Sequence, residues 1–233
     1  MKKFLIALTV LLGSVSLANA DKVNVGVTLM GGVFEVDGAS EIFSGDHSSN
    51  TTTTKVIKKA SDEDEAEGVF GLGSIFVEVN LTDQLGIGIN HVAHDLESET
   101  TENIQNTGGT AVLTNRQAES RNTVMVSFSD LNTVYAIAKL NENIYAKVGY
   151  VEVDVQTEEN LGTGGAYDDT SLDGYTLAVG YNYGMDNGAF VRVEASYMDL
   201  DGVSLTNKND SNKAVSVDGI SGYGAGISIG KSF

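Results

Sequence analysis

The chain has 233 residues and a formal net charge of −18, with 27 glycines but no proline, cysteine or tryptophan. Such acidity argues against a nucleic-acid partner, because lysine and arginine are the residues that bind phosphates. The lack of cysteine excludes a disulfide framework, so stability has to come from backbone pairing and packing.

The first twenty residues predict a cleaved secretory signal peptide. Lys2 and Lys3 form a basic start, residues 4–12 are apolar, and Ala18-Asn19-Ala20 is a small-residue cleavage motif. The apolar run is shorter than the roughly 20 residues that a membrane-spanning helix needs. We therefore expect residues 1–20 to be removed and residues 21–233 to form one exported domain. Loss of the two lysines takes the net charge from −18 to −20.

About eight later segments alternate between apolar residues and small or polar ones, which is the period of a β-strand. The sixth is the clearest, because Tyr175, Leu177 and Val179 alternate with small or polar residues. The fourth is ambiguous in phase, and the fifth changes phase after Tyr150, where a β-bulge would re-aim the side chains that follow. In chain order the predicted strands are residues 22–36, 69–80, 85–94, 121–139, 144–155, 174–183, 189–197 and about 220–233.

The connections between these strands alternate between long and short. The short ones are residues 81–84, 140–143 and 184–188, and the long ones are 37–68, 95–120, 156–173 and 199–219. Only helices and closed barrels satisfy their backbone groups inside a membrane, and no later stretch is apolar enough for a spanning helix. We therefore predict an all-β fold: an up-and-down antiparallel transmembrane β-barrel of about eight strands, with short periplasmic turns and long extracellular loops.

Aromatic residues on the outward faces of the predicted strands are expected to mark the two membrane surfaces. Tyr175 and Tyr183 bracket the sixth strand, where eight residues at about 3.3 Å each, tilted by about 40°, span roughly 20 Å. The alternative is that these tyrosines are ordinary strand formers. The predicted girdle is Tyr175, Tyr181, Tyr183 and Tyr197, with Tyr150, Tyr223 and Phe34 near the outer interface and Phe233 near the inner one.

Charged residues lie on the opposite, inward faces of the predicted strands. Glu78, Arg192 and Glu194 are placed there, and Lys147 or Lys139 is the candidate for a second cation. The interior of an eight-stranded barrel is only wide enough for side chains, and buried charges have to pair. We predict a lumen charge network of Glu78, Arg192, Glu194 and Lys147 that plugs the barrel, with a conducting gate as the alternative.

Four sequence features are characteristic: the motif Ala18-Asn19-Ala20, residues 76–86, residues 175–183 and the terminal Phe233. Together they resemble small outer-membrane β-barrels of the opacity-type and OmpA-transmembrane-type porin-like family. The resemblance implies the bacterial outer membrane, contact with its lipids and lipopolysaccharide, and a similar charged network inside the barrel. It also implies that the barrel-assembly machinery recognises the last strand. That assembly signal would be Tyr223, Ile227, Ile229 and Phe233, although Lys231 stands where the family has an aromatic residue.

Two histidines and an acidic run are the remaining candidates for chemistry. His91 and His94 are three residues apart on one predicted strand, which puts them on opposite faces and prevents them from sharing a metal ion. A lipid-modifying enzyme would need a nucleophile and a base, for which His94 with Ser98 or Ser127 is a candidate pair. The acidic residues 62–67 match no calcium-loop spacing, so a solvated loop is preferred to a cation site.

The sequence thus predicts an outer-membrane barrel that is not an enzyme and uses no cofactor and no metal. Its expected role is structural or surface-interacting: membrane integrity, adhesion, or recognition of an unknown extracellular ligand through the loops. The first alternative is a narrow passive porin for small solutes. The second is an outer-membrane lipid-modifying enzyme. No nucleic-acid partner is expected.

Overall fold

The computed structural model describes residues 23–38, 40–44, 54–59, 66–97, 101–106, 119–161 and 166–233. In these ranges the regular structure consists of β-strands. They are β1 (Val23–Asp37), β2 (Ser40–Ser44), β3 (Thr54–Lys59), β4 (Ala66–Asn80), β5 (Leu85–Val92), β6 (Leu96–Glu97), β7 (Thr101–Asn106), β8 (Glu119–Lys139), β9 (Ile144–Leu161), β10 (Thr170–Gly184), β11 (Ala189–Thr206) and β12 (Lys213–Ser232). Across the same ranges, no helix has the length and apolar character to cross a membrane.

Eight of these strands close into one barrel. Each pairs with its neighbour in the order β1-β4-β5-β8-β9-β10-β11-β12, and β12 pairs with β1 to complete the ring. All of these pairings are antiparallel, and the closing register runs from Asn24 opposite Ser232 to Asp37 opposite Gly219. The predicted all-β, up-and-down, eight-stranded barrel is therefore confirmed.

Three tight turns join strands at one end of the barrel, which we call the turn end. In the turn between β4 and β5, Thr82 Oγ1 accepts hydrogen bonds from the backbone N–H groups of Gln84 and Leu85. Asn141 Oδ1 accepts in the same way between β8 and β9, from Asn143 and Ile144. Side-chain acceptors thus satisfy backbone donors that the change of direction leaves without a strand partner.

The strands extend further at the opposite end, the loop end, than the sequence pattern predicts. β11 and β12 remain paired as far as Thr206 opposite Ala214, so the connection predicted over residues 199–219 covers only residues 207–212. The predicted first loop, 37–68, contains β2 and β3, and β2 pairs with β12. The sequence pattern is misleading here because valines alternate with aspartate, serine and threonine. Such a composition resembles a loop but still supports an extended, paired backbone.

The predicted change of phase in the fifth strand is wrong. β9 keeps a continuous register with β10 from Ile144 to Val155. Val151 and Val153 therefore lie on the same inward face as Lys147, and each is only 1% exposed. The sequence changes character along β9 because the interior of the barrel changes from charged to apolar, and no β-bulge is needed.

A β-bulge occurs in β8 instead. Ser129 pairs with Asp154 and Asn132 pairs with Glu152, so Asp130 and Leu131 stand opposite a single residue of β9. Asp130 adopts a positive φ of 50°, a conformation that aspartate tolerates better than most residues. The extra residue reverses the facing of β8, which explains why its sequence pattern has no single phase.

Candidate functional site

A salt bridge crosses the interior of the barrel near the turn end. Glu78 on β4 has no exposed surface, and Arg192 on β11 is 6% exposed. Arg192 Nη1 donates to Glu78 Oε1 and Nη2 donates to Oε2, both at 2.7 Å. In the ring, β1 and β12 lie between these two strands, so the contact spans the lumen and does not follow the wall. This bidentate geometry is the strongest form of an arginine–carboxylate pair.

Three further groups surround the Glu78 carboxylate. The Tyr135 hydroxyl on β8 donates to Oε1 at 2.8 Å, and Asn24 Nδ2 on β1 lies 3.3 Å from Oε2. Lys147 Nζ on β9 is 3.9 Å from Oε1. A carboxylate without exposed surface is stable only when its oxygens are paired and hydrogen-bonded, and these contacts provide that.

A second carboxylate, Glu194 on β11, completes the cluster. Lys147 Nζ lies 2.8 Å from Glu194 Oε2, and the Tyr145 hydroxyl donates to the same oxygen at 2.9 Å. Arg192 Nε also donates to Asn182 Oδ1 at 2.9 Å. Two cations and two carboxylates therefore balance in charge, which limits the electrostatic cost of their burial.

Aromatic rings line this cluster. Lys147 Nζ lies 4.7 Å from the ring centroid of Tyr135, and the guanidinium carbon of Arg192 lies 4.5 Å from that of Phe190. Both distances are typical of cation–π contacts, which favour a desolvated cation over a ring face. We define the lumen cluster as these packed residues: Asn24, Glu78, Tyr135, Tyr145, Lys147, Asn182, Phe190, Arg192 and Glu194.

The structure brings the four predicted network residues together and adds members that the sequence analysis missed. Tyr135 lies beyond the β8 bulge, so the alternation of the sequence does not indicate which face of the sheet it is on. Tyr145 shares the inward phase of Lys147, and this spacing was the available signal. Lys139, the other candidate cation, is exposed and lines a cavity of about 150 Å³ that opens at the turn end and reaches Tyr145 and Arg192 of the cluster.

The glycines of the inward faces make room for the aromatic rings. A Cβ on Gly88 would lie 2.5 Å from the Tyr135 ring, and a Cβ on Gly180 would collide with the Tyr145 ring. The ring from one strand thus occupies the space that a side chain at the glycine of the next strand would fill, an arrangement known from glycine–aromatic pairs in sheets. The same arrangement places Phe76 over Gly26, Phe70 over Gly32 and Phe190 over Gly230.

An apolar cluster fills the interior above the charged one, toward the loop end. Its centre is Val151 and Val153, each 1% exposed. The sequence pattern does not reveal this cluster, because apolar residues on an inward face resemble a change of phase. The buried members are Val151, Val153, Val155, Leu172 and Leu200, against which Val126, Phe128, Leu131, Met198, Val203 and Ile220 pack.

The outward face carries the predicted aromatic residues. Tyr175, Tyr181 and Tyr183 are between 46% and 58% exposed, and the Tyr197 ring lies 6.3 Å from that of Tyr175. Toward the loop end, Tyr150 donates to Asp173, and Tyr175 and Tyr197 donate to Asp199. The residues proposed for the assembly signal also face outward and are more than half exposed: Tyr223, Ile227, Ile229 and Phe233.

Phe34 is the exception, and its predicted place at the outer interface is wrong. Its ring lies over Gly68, whose added Cβ would collide with it, and Gly222 is the neighbour on the other side. Phe34 is inward because it shares the phase of Asn24 and Thr28, both buried.

The two histidines do not alternate as predicted, because β5 ends at Val92. His94 lies outside the strand: its Nε2 accepts the Gly73 N–H at 2.9 Å, and its Nδ1 lies 3.0 Å from the Asp95 carbonyl oxygen. His91 Nδ1 lies 2.9 Å from Asn132 Oδ1. Both nitrogens of His94 are thus engaged with backbone groups, whereas Ser98 and the acidic residues 62–65 lie outside the described residues. Within the described ranges, no three histidine or acidic side chains are grouped as metal ligands.

Comparison with known proteins assigns the chain to a family. A family model described as outer membrane protein beta-barrel domain matches residues 4–227. No curated protein matches the chain. Among solved structures, the chain is similar to the outer membrane protein OprG from Pseudomonas aeruginosa (TM-score 0.46, 12% identity, covering 92% of this chain and 99% of that one). It is also similar to the outer membrane protease OmpT from Escherichia coli (TM-score 0.36, 12% identity, 92% and 98%). A third similarity is to Ail of Yersinia pestis in complex with the heparin analogue sucrose octasulfate (TM-score 0.32, 8% identity, 89% and 99%). These similarities are too distant to assign a role.

Proposed function

Because the chain belongs to the outer membrane protein beta-barrel domain family and resides in the bacterial outer membrane, we propose that it acts there as a closed barrel with a structural or surface-interacting role. The role includes membrane integrity, adhesion and recognition of an extracellular ligand. Residues 1–20 serve as the cleaved signal peptide, and residues 21–233 form the mature barrel. Protein sequencing of the mature N-terminus tests this division, with Asp21 as the expected first residue.

The observation that carries the proposal is the complete burial of Glu78 beneath Arg192. A conducting pore needs a continuous water-filled path, whereas the salt bridge crosses the lumen near the turn end and fills it there with charge-balanced, hydrogen-bonded side chains. The apolar cluster around Val153 forms a second closure further toward the loop end. Water and ions would have to displace both clusters to pass.

The composition of the outward face supports the proposal that the barrel is integral to the lipid bilayer. Its apolar residues are flanked by tyrosines whose hydroxyls reach acidic side chains toward the loop end, as expected where hydrocarbon meets polar head groups. The lipids and lipopolysaccharide of the outer membrane are the partners of this face. The barrel-assembly machinery is the proposed partner of the last strand, through Tyr223, Ile227, Ile229 and Phe233.

Conductance of the purified barrel in planar lipid bilayers tests the closed state. We expect the wild-type protein to give no steady conductance steps. The variant Glu78→Ala/Arg192→Ala/Val151→Ala/Val153→Ala, checked for folding by heat-modifiable gel mobility, serves as the control, because it removes the cross-lumen pair and the centre of the apolar closure. Steady ohmic steps from the wild type would instead favour a narrow passive porin.

A surface role predicts a phenotype that does not depend on transport. Deletion of the gene should increase sensitivity to detergent or reduce cell attachment, and the wild-type gene should restore both. The lipid profile of cells that overproduce the protein should stay unchanged, because the barrel is proposed not to be an enzyme. A new lipid A or phospholipid species would contradict that part of the proposal.

A further inference from the structure

Among the described strands, pairing of the barrel wall is incomplete along β4. β4 pairs with β1 from Val79 up to Ala66, but with β5 only as far as Ser74, which stands opposite Val92. Beyond this point β6 and β7 pair with β8, and the described residues include no strand on that side of β4. The edge of β4 over residues 66–73 therefore faces a break between the described strands.

The break lies at the level of the membrane's outer leaflet. Val69 pairs with Val33, which in turn pairs with Tyr223, a tyrosine expected near the outer interface. Val69 is 82% exposed and Leu29 is 73% exposed, so apolar side chains face outward on both sides of this level. Gly73 lies seven residues from Asn80, the residue of β4 at the turn end. Seven residues of a tilted strand span roughly 18 Å along the membrane normal, which is within an apolar band of about 25 Å.

The edge of the break is a strip of backbone hydrogen-bonding groups. The Gly73 N–H points into the break, where His94 Nε2 accepts it. Because N–H and C=O groups of alternate strand residues point to the same side, those of Gly71 and Val69 also point there. Gly71 and Gly73 have no side chains to cover the strip, and a Cβ on Gly71 would meet nothing within 4 Å. Unpaired backbone groups are costly in hydrocarbon, so this edge favours a hydrogen-bonding occupant.

The interior behind the break is apolar. Phe70 and Leu72 alternate with the outward Val69 and Gly71 and so face the lumen. Val92, at the end of β5, is 3% exposed. Leu96 pairs with Phe128, which packs against the apolar cluster. A molecule that enters from the outer leaflet thus meets polar groups at the rim and hydrocarbon side chains inside.

The polar backbone strip at the rim and the apolar interior behind it together require an occupant with one polar end and one apolar chain. A second copy of the chain does not fit, because two barrels in one membrane are related by an axis along the membrane normal. Their β4 strands, each tilted by about 40° from that axis, would cross at about 80° and could not pair. A fully apolar molecule would leave the strip unpaired.

We propose that the break between β4 and β6 is a lateral binding site for a single-chain amphiphile, with a carboxylate or ester head group and one acyl chain. The head group bonds the backbone strip at Gly71 and Gly73, and the acyl chain lies against the apolar cluster. His94 acts as a latch, because its Nε2 holds the Gly73 N–H when the site is free. The site needs no passage through the lumen cluster and is compatible with a closed barrel.

Quenching of tryptophan fluorescence tests the site, since the chain has no native tryptophan. The probe is dibromopalmitic acid, added to the Phe128→Trp variant in bilayers of unbrominated phosphatidylcholine. We expect saturable quenching of this lumen tryptophan and only weak, linear quenching of Met185→Trp at the turn end. If Phe128→Trp fails to fold, Leu96→Trp reports on the same space. Linear quenching at both lumen positions would overturn the proposal.

Blocking the break shows where the chain enters. The protein has no native cysteine, so Gly71→Cys can be labelled with a bulky maleimide in the Phe128→Trp background. The matched control is Gly184→Cys at the turn end, where an added Cβ also meets nothing within 4 Å. We expect labelled Gly71→Cys to weaken the binding of dibromopalmitic acid at least tenfold and labelled Gly184→Cys to leave it unchanged. Unchanged binding after the Gly71 label would overturn lateral access.

Substitutions of His94 test its role as a latch through the affinity for dibromopalmitic acid. His94→Ala removes the group that competes for the Gly73 N–H, so the probe should bind severalfold more tightly than to the wild type. His94→Gln keeps an acceptor near Gly73 and should restore the wild-type affinity. Equal or weaker binding to His94→Ala would overturn the role of His94 as a latch.

Discussion

Tyr135 and Arg192 hydrogen-bond the same oxygen of Glu78, at 2.8 and 2.7 Å, although they lie on strands separated in the ring by β9 and β10. One buried carboxylate thus ties together distant parts of the wall. The two donors share an acceptor, so the effects of removing them should not add. This convergence makes the lumen cluster the most sensitive place in the barrel for mutation.

Arg192→Ala should destabilise the barrel by about 3–5 kcal/mol, because it leaves the Glu78 charge buried without its main partner. The measurement is urea-induced unfolding in lipid vesicles. Lys208→Ala is the control: its pair with Asp168 is as short, at 2.7 Å, but both side chains are largely exposed. An exposed pair contributes little, so this midpoint should not move. An unchanged midpoint for Arg192→Ala would mean that the cross-lumen pair does not hold the barrel together.

Tyr135→Phe should cost about 1.5–3 kcal/mol, the range for a hydrogen bond to a charged group. The ring stays in place over Gly88, so the loss reports on the hydroxyl alone. Tyr223→Phe is the control, because that side chain faces outward and is 64% exposed. Unfolding of Tyr135→Phe, of Arg192→Ala and of the double variant Tyr135→Phe/Arg192→Ala completes the double-mutant cycle. Strict additivity would contradict the shared acceptor.

Gly180→Ala should destabilise the barrel by about 1–3 kcal/mol, because the new methyl group collides with the Tyr145 ring. Gly184→Ala, four residues further along β10, adds its methyl group to open space and should leave stability unchanged. Heat-modifiable gel mobility as a function of temperature compares the two variants directly. Equal stability would show that the ring can move aside at no cost.

Val153→Ala should cost about 2 kcal/mol, from lost burial and from the cavity that remains. Val148→Ala on the same strand is the matched control. Val148 is 54% exposed on the outward face, where lipid fills the space, whereas Val153 is 1% exposed. Urea unfolding distinguishes them. A loss at Val153 as small as that at Val148 would mean that β9 does change phase after Tyr150.

Val193→Arg should cost about 2–4 kcal/mol, the range for arginine on the lipid face near the middle of the bilayer. Val193 is 50% exposed and lies between Tyr181 and Ile227 on neighbouring strands. Met185→Arg, in the turn between β10 and β11, places the same charge beside water and should have little effect. A neutral Val193→Arg in vesicle-based unfolding would indicate that the outward and inward faces are reversed.

Much of the barrel could be predicted because closure and facing depend on local patterns. Alternation in β10 identified both its outward face and the inward position of Asn182, and the polar facing of Glu78, Arg192 and Glu194 followed from the same rule. Their pairing was expected because an eight-stranded lumen leaves buried charges no other partners.

The remaining features depend on relations between strands that no local pattern contains. The bulge at Asp130 shifts half of β8 by one residue, so Tyr135 could not be assigned a face from its own segment. The inward valines of β9 resemble a phase change because the interior changes from polar to apolar along the barrel. His94 was placed on a strand because nothing in the sequence marks the end of pairing between β4 and β5 at Val92.

The ring closes where Ser232 Oγ donates to Asn24 Oδ1 across a separation of 208 residues. Contacts between such distant positions form late, since the entropy of bringing the ends of a long chain together must be overcome first. Asn24 in turn bonds Glu78, so the same seam adjoins the charged interior. Spontaneous refolding should therefore be slow, and the charged interior should become ordered only as the two ends of the polypeptide meet.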